Sequence, residues 1–408
     1  MRRALLATIA GGLALAALIA PAMAQDTSAT PANASGLTDA CTGSGHGTRN
    51  ISVQDATTGN DREWKVSITT GGGCSLDLHS RGELTFARDL GDVERITPHG
   101  YLELTERDGD LVRRFEAHPL ADGTLERTWT VSGERRPFDA DARRRLAAML
   151  VALDRHTGFA APIRVPALLR DGGVDAVLRE ITRMSGDYAR RVYFVTLLDS
   201  ARIGENDAAR IMHQAGTEID SDYELATLLI TMGERDLVTA RTAPAYVEAT
   251  RSLQSDYEHR RALAAVLEHP TLAAPVAGAI LRSASTIGSD YEMASLLVGM
   301  SRAHLIADSL REPFFAAVKH IGSDYEHRRV LTALLDSDSV SQAMIADVLA
   351  SAAGIGSDYE RATVLVTVAN RFALDDRLRD AYVKAANAIG SDYERRRALT
   401  ALLKRTSI

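Results

Sequence analysis

A chain of 408 residues has room for two or three domains, and a hydrophobic content of 45% is ample for packed cores. Aromatics are scarce at 5% while Ala, Leu and Arg abound, a bias that favours helices over sheets. The formal net charge of −7 lacks the basic footprint that nucleic-acid binding needs, so DNA and RNA are excluded as expected partners.

At the N-terminus, Arg2 and Arg3 precede an apolar run from Ala4 to Ala20, Pro21 breaks it, and Ala22-Met23-Ala24 places small residues where a signal peptidase reads. This predicts a Sec-type signal peptide over 1–24, cleaved after Ala24, and a mature protein in the periplasm or outside the cell. The run is interrupted by Gly11-Gly12 and is shorter than the ~20 residues of a membrane-crossing helix, so no span is expected after cleavage. Residues 25–49 are small, polar and rich in Gly, Ser and Thr, and read as a disordered linker. The chain has two cysteines, Cys41 and Cys74. In an oxidising compartment they are expected to form a disulfide, closing a loop of about 33 residues and contributing roughly 3 kcal/mol. The alternative, a metal or redox pair, lacks CxxC spacing and nearby ligands.

From 50 to 135 the pattern turns to period two. Trp64-Lys65-Val66-Ser67-Ile68, Leu76-Asp77-Leu78, Leu84-Thr85-Phe86 and Tyr101-Leu102-Glu103-Leu104 alternate, and Leu111 to Phe115 and Leu125 to Val131 continue the series. Gly71-Gly72-Gly73, Asp108-Gly109-Asp110 and Asp122-Gly123 supply the turns. A small antiparallel β domain of about six strands, with one wet face, is the expectation. Asp108-Gly109-Asp110 lacks the further ligands of a calcium loop and is read as a hairpin turn.

Residues 136–184 form a helical connector and N-terminal cap. Asp139 or Asp141 caps a helix to about Asp154 with Leu146, Met149, Leu150 and Leu153 on one face; a Pro-containing connection follows, then a helix from Val174 to Met184. From 185 to 408 a motif of the type Ile-Gly-Ser-Asp-Tyr-Glu recurs seven times, with aspartates at Asp187, Asp222, Asp256, Asp290, Asp324, Asp358 and Asp392. The first step is 35 residues and every later one 34, a period that specifies an α-solenoid of helix pairs. In one unit, Ser323 to Leu335 and Ser341 to Ile355 are the two helices, joined by Asp336-Ser337-Asp338-Ser339. The fold class is therefore α+β: a small antiparallel β domain followed by a solenoid of seven repeats. The repeat length equals that of the tetratricopeptide repeat without its signature Trp, Gly and Pro positions, which leaves HEAT-like and tetratricopeptide-like packing both open.

The motif reads first as helix punctuation. In Ile321-Gly322-Ser323-Asp324-Tyr325-Glu326, the glycine suits a left-handed position ending the preceding helix, Ser323 is an N-cap, and Glu326 completes a capping box. Asp324 complements the helix dipole, and the tyrosines (Tyr188, Tyr223, Tyr257, Tyr291, Tyr325, Tyr359 and Tyr393) are expected between successive helix pairs. The first copy is degenerate, with Gly186 at the cap and Ala189 three residues on.

Capping leaves one pattern over. Three residues after the tyrosine, odd copies carry Arg191, Arg260, Arg328 and Arg396, whereas even copies carry Ala226, Ala294 and Ala362. The next position holds Arg261, Arg329 and Arg397 in three odd copies but Thr227, Ser295 and Thr363 in the even ones. The true period is two helix pairs. Odd-repeat arginines are expected to reach even-repeat carboxylates such as Asp222, Asp290 and Asp358 in an inter-repeat ladder. The alternative is an exposed arginine column that grips an extended acidic ligand.

Catalytic signatures are lacking: HExxH, GxSxG, Walker and GxGxxG patterns do not occur, and Gly43-Ser44-Gly45-His46-Gly47 lies in the presumed linker. No catalytic or metal-ligating residue is assigned, and no cofactor is expected. His259 and His327 stand at equivalent positions two repeats apart and read as repeat decoration. Ser-Asp-Tyr-Glu followed by Arg-Arg and an aliphatic run resembles exported bacterial helical-repeat proteins. It also resembles the extracytoplasmic tails of some membrane metallopeptidases related to the beta-lactam-sensing antirepressors. The likeness covers roughly residues 100–408, including Arg135-Arg136-Pro137-Phe138-Asp139. The peptidase part, with its zinc motif and membrane spans, is not in this sequence, so the resemblance implies a sensory or interaction module and no protease activity. Two functions follow as expectations: a non-catalytic envelope scaffold whose solenoid binds a protein or peptide on its concave face, or a hydrolase with a site at the β-domain/solenoid junction.

Overall fold

The computed structural model describes residues 50–58, 61–69, 74–268, 270–337 and 340–406. The expected signal peptide, the linker, the Gly71–Gly73 turn, Cys41 and its pairing with Cys74 lie outside the described residues.

The β domain consists of strands β1 (Asn50–Thr58), β2 (Asp61–Thr69), β3 (Cys74–Arg81), β4 (Leu84–Phe86), β5 (Val93–Ile96), β6 (Tyr101–Asp108), β7 (Leu111–Pro119), β8 (Leu125–Val131) and β9 (Glu134–Arg136). Seven form an antiparallel sheet in the order β1-β2-β3-β6-β7-β8-β9, and β4 and β5 form a separate hairpin inserted between β3 and β6. The register explains the period-two pattern. Val66 faces Leu78, Leu78 faces Leu104, Leu104 faces Phe115 and Phe115 faces Trp129, so one buried row crosses five strands. Asp108 pairs with Leu111, and Gly109 between them takes a φ of +56°, which makes Asp108-Gly109-Asp110 a tight hairpin turn.

Helix α1 (Ala140–Thr157) covers the buried face of the sheet, with Asp139 accepting from the backbone N–H groups of Asp141 and Ala142 as its N-cap. Leu146, Met149, Leu150 and Leu153 share one core with the sheet. A buried carboxylate fixes the docking. Glu106, on β6, takes two hydrogen bonds from Arg145 of α1 at 2.7 and 2.8 Å and a third from Arg113 of β7 at 3.1 Å. The Pro-containing connection belongs to a helix that reaches back past Val174: α2 (Ala161–Ile181) begins with Pro162 in its first turn, where a missing N–H costs nothing. It breaks at Gly172-Gly173, where Gly173 has a φ of +64°.

The solenoid follows as α3 (Asp187–Ser200), α4 (Glu205–Glu218), α5 (Asp222–Glu234), α6 (Ala243–Thr250), α7 (Asp256–Leu267), α8 (Pro270–Ala284), α9 (Asp290–Arg302), α10 (Arg311–Val318), α11 (Asp324–Leu335), α12 (Gln342–Ala352), α13 (Asp358–Arg371), α14 (Asp376–Asn387) and α15 (Asp392–Thr406). First helices stack on first helices, α3 to α15, and second helices on second helices, α4 to α14, around a single apolar core running from Ala161 to Leu402. The two-repeat period extends into that core. Tyr246, Phe314 and Tyr382, on the second helices of even repeats, are fully buried and stand two repeats apart, where odd repeats place Met212, Ile280 and Val348.

Every first helix begins at a motif aspartate. Serine N-caps hold five of them: Ser255, Ser289, Ser323, Ser357 and Ser391 each accept the N–H of the glutamate three residues on, at 3.3–3.4 Å. The other half of the expected capping box does not form, because the serine's own N–H is taken by the preceding repeat. The Asp290 carboxylate accepts from Gly322 and Ser323 N–H at 3.0 and 2.7 Å, and Asp324 from Gly356 and Ser357 at 2.8 and 2.7 Å. The same clamp recurs from Asp187 to Asp220 and Ser221, Asp222 to Gln254 and Ser255, Asp256 to Gly288 and Ser289, and Asp358 to Gly390 and Ser391. These accepted bonds hold the Asp358 carboxyl below the usual carboxylate range. The motif glycines are not left-handed, contrary to the sequence expectation. A Cβ on Gly356 would come within 3.2 Å of the Asp324 carboxylate.

Two charge-assisted bonds to backbone donors make each of the six aspartates from Asp187 to Asp358 a joint between repeats. Asp324→Ala is expected to lower unfolding stability by about 2 kcal/mol. Urea unfolding of the variant against wild type checks this; an unchanged midpoint would show that water replaces the carboxylate at no cost.

Candidate binding stripe on the solenoid edge

The seven motif tyrosines occupy the second position of the first helices, so they line the edge of the solenoid where those helices begin. They do not pack between helix pairs as expected: each ring is exposed, from 44% at Tyr188 to 74% at Tyr393. Among the described residues only two other large apolar side chains are comparably exposed, Leu120 and Leu403, so the stripe is the dominant aromatic feature of the surface.

Arginines orient these rings. Arg191, Arg260 and Arg328 lie over the tyrosines of their own repeats, Tyr188, Tyr257 and Tyr325, at 4.9–5.2 Å from guanidinium carbon to ring centroid. Arg329 and Arg397 reach back to Tyr291 and Tyr359 of the preceding repeats at 5.3 and 5.0 Å.

The ladder exists, with a different acid. Arg191, Arg260 and Arg328 each bond through Nε to the glutamate of the following even repeat: Glu224, Glu292 and Glu360. The aspartates expected to receive them, Asp222, Asp290 and Asp358, are occupied by backbone N–H groups. The second arginine of the odd repeats pairs within its own helix, Arg261 with Glu258, Arg329 with Glu326 and Arg397 with Glu394, at 2.6–2.9 Å. Arg329 and Arg397 also donate backward to Ser295 and Thr363 at 2.9 and 2.6 Å. The repeat that begins at Asp324 therefore grips the repeat on each side, whereas in front of Arg261 the buried Thr227 hydroxyl is left without a partner. Arg396 is exposed on α15. The first copy fits the scheme: where Ala189 replaces the glutamate, Val192 replaces the second arginine. That covariation lies within one chain, and the amino-acid sequence alone displays it.

These guanidiniums are paired, so the expected alternative, a column of free arginines for an acidic ligand, loses its basis. Their glutamates are only 11–14% exposed, which raises the cost of leaving one unpaired. A double-mutant cycle of Arg328→Ala and Glu360→Ala is expected to give a coupling of about 1–2 kcal/mol. Simple additivity in denaturant unfolding would refute the bridge.

The remaining titratable groups are internal. Asp154, fully buried, accepts from Tyr193 Oη, from Ala160 N–H at 2.8 Å and from Arg164 at 3.3 Å, and Arg164 and Arg155 bind Glu180 at 3.1 and 3.0 Å. Burial pushes the Asp154 carboxyl up against these donors, and burial together with the neighbouring Asp154 carboxylate pushes the Tyr193 phenol up as well. This cluster joins α1, α2 and α3, and its two carboxylates are buried beneath the arginines. His259 and His327 are also buried, each hydrogen-bonded through Nε2 at 2.8 Å to a serine of the second helix, Ser283 and Ser351. Burial lowers the pKa of His259 to about 4 and shifts His327 the same way. A depressed folded-state pKa means that the unfolded chain binds more protons between about pH 6.5 and 4. The stability due to neutral histidine is complete above pH 6.5 and is lost as pH falls toward 4. Thermal melts over this window should show a smaller loss in His259→Gln/His327→Gln than in wild type; equal slopes would remove the histidines from the acid response.

A cleft between α6, α8 and the connection from α9 to α10, lined by Pro244, Gly278, Arg282, His304 and Leu310 among others, contains no motif residue. Among the described residues no group of three or more His, Cys, Asp or Glu is arranged to hold a metal, and no helix is long and apolar enough to cross a membrane. No protein-family model matches the chain, and no curated protein or solved structure does either.

Proposed function

We propose that this protein is a non-catalytic scaffold or sensory module of the bacterial envelope that binds a protein or peptide along the tyrosine edge of its solenoid. The observation that carries this reading is the exposure of the same aromatic residue in every one of seven repeats. The other recurring letters of the motif are engaged within the fold. The aliphatic residue is buried, serine caps, aspartate clamps the next repeat and glutamate holds arginine. Tyrosine, rigid and amphipathic with few rotors to freeze, is suited to contact a partner. The signal-like N-terminus and the Cys41/Cys74 pair support export and an oxidised disulfide. Resemblance to exported repeat proteins and antirepressor-type peptidase tails points the same way. The hydrolase alternative finds less support, since the buried carboxylates at the junction, Asp154 and Glu180, are enclosed by arginines.

The test uses the exported full chain and a Tyr257→Ala/Tyr291→Ala/Tyr325→Ala variant, with matched melting temperatures, to capture polypeptides from envelope extract. Polypeptides held by wild type and lost by the variant are expected. Equal retention by both would remove the tyrosine edge from the function. Intact mass of the same wild-type preparation should show cleavage after Ala24 and a cysteine pair that does not alkylate until reduced.

A further inference from the structure

We infer that the polypeptide held by the tyrosine edge is rich in lysine and arginine, with its cations seated on the rings beside the unneutralised aspartates of the central repeats. The inference rests on the reading of this edge as a polypeptide-binding surface and names the charge of what it binds.

The exposed rings make the surface, and the carboxylates around them set the sign of its occupant. The glutamates are neutralised one by one. Glu224, Glu292 and Glu360 are each bonded by an arginine of the preceding repeat, and Glu258, Glu326 and Glu394 by an arginine of their own helix. The motif aspartates divide differently. At the two ends of the row an arginine three residues on pairs with the aspartate, Arg190 with Asp187 and Arg395 with Asp392. In the middle, among the described residues, no arginine or lysine bridges Asp222, Asp256, Asp290 or Asp324, whose two oxygens each accept one main-chain N–H. An ionised carboxylate has about four acceptor sites, so each of these keeps acceptor capacity as well as its charge. All four are partly exposed, and each is followed directly by its tyrosine.

The wider edge has the same sign. The connections and first turns at 217–224, 251–261, 285–292 and 319–329 carry ten Asp and Glu against six Lys and Arg, with Arg251 and Lys319 outside the motif included. An acidic polypeptide would be repelled by this field and a basic one drawn to it.

Ring chemistry favours the same partner. A cation is attracted to the negative face of a phenol ring, and a carboxylate next to the ring adds to that attraction. Even where the protein's own arginines lie over Tyr257, Tyr291 and Tyr325, the rings remain 52–59% exposed, which leaves room for a further cation. A guanidinium from a partner can stack on such a ring and reach the neighbouring carboxylate with its remaining donors.

The test is fluorescence anisotropy on the exported full chain with three labelled Gly/Ser-based peptides of about 15 residues, carrying about six Arg, no charge, or about six Glu. The Tyr257→Ala/Tyr291→Ala/Tyr325→Ala variant keeps every charge of the edge. Asp290→Asn removes one and keeps an oxygen for the main chain; both are measured well below their melting temperatures. Expected is saturable binding of the Arg peptide, about tenfold tighter than that of the uncharged one and weakening as salt is raised. The Glu peptide should not bind. The tyrosine variant should lose about tenfold in affinity for the Arg peptide and Asp290→Asn about twofold. An Arg peptide bound no tighter than the uncharged one, or equally by either variant, overturns the inference. If it does so while the tyrosine variant still loses its envelope polypeptides, the charge assignment falls and the polypeptide-binding reading stands. A tyrosine variant that keeps both the Arg peptide and the envelope polypeptides overturns both.

Discussion

The carboxylate of the motif aspartate, from Asp187 through Asp358, is the joint on which the solenoid depends. A helix leaves its first N–H groups without partners, and the residues just before it are equally exposed. Here the aspartate of one repeat accepts two such N–H groups from the start of the next, at 2.6–3.1 Å across the six junctions from Asp187 to Ser391. The donors are main-chain groups. That is why their side chains vary among Asp220, Gln254 and glycine while the acceptor is aspartate throughout. Because the bond reaches from one helix start to the next, it sets the register of each repeat on its neighbour.

A second set of bonds runs at the same level with twice the period. Three of the four odd repeats carry both arginines, the first carries one, and the even repeats carry neither at these positions, so a pair of repeats behaves as the unit of duplication. The forward bond to glutamate and the backward bond to serine or threonine are made by adjacent residues, such as Arg328 to Glu360 and Arg329 to Ser295. Adjacent positions on a helix point about 100° apart, which lets one residue face each neighbour. Even repeats meet these arms with Ala226, Ala294 and Ala362, all fully buried. The burial of His259 and His327 against Ser283 and Ser351 follows the same two-repeat rhythm inside the core.

Much of this is legible in the sequence, and what is not has a common cause. Period two locates the sheet, the 34-residue spacing locates the helices, and Ser323 is identifiable as a cap from its own chemistry. Spacing along one helix, however, says nothing about a neighbouring repeat. Asp324 and Arg328 stand at i and i+4, which invites an intrahelical pair. Side chains on a helix lean toward its N-terminus, so an aspartate in the first turn projects past the helix end, toward the next repeat's main chain and away from Arg328. The glutamate two residues on is left to receive the arginine. The tyrosine escapes sequence reading for a related reason. Aromatic content argues for burial in a core, but the second helical position of a stacked row faces outward along the edge.

That outward placement is itself informative. A row of exposed aromatic rings raises the risk of self-association, a burden that repeat proteins ordinarily avoid. Capping and clamping need only the residues on either side of the tyrosine, and Asp, Ser and Glu would serve equally with a polar residue between them. Arginines lie across five of the seven rings at 4.9–5.3 Å while bonding to the glutamates, so the ion pairs of the solenoid also hold Tyr188, Tyr257, Tyr291, Tyr325 and Tyr359 in a fixed pose. Orientation of the rings is thus supplied by the solenoid before any partner arrives. The fold sets the pose of this surface as well as the register of the repeats beneath it.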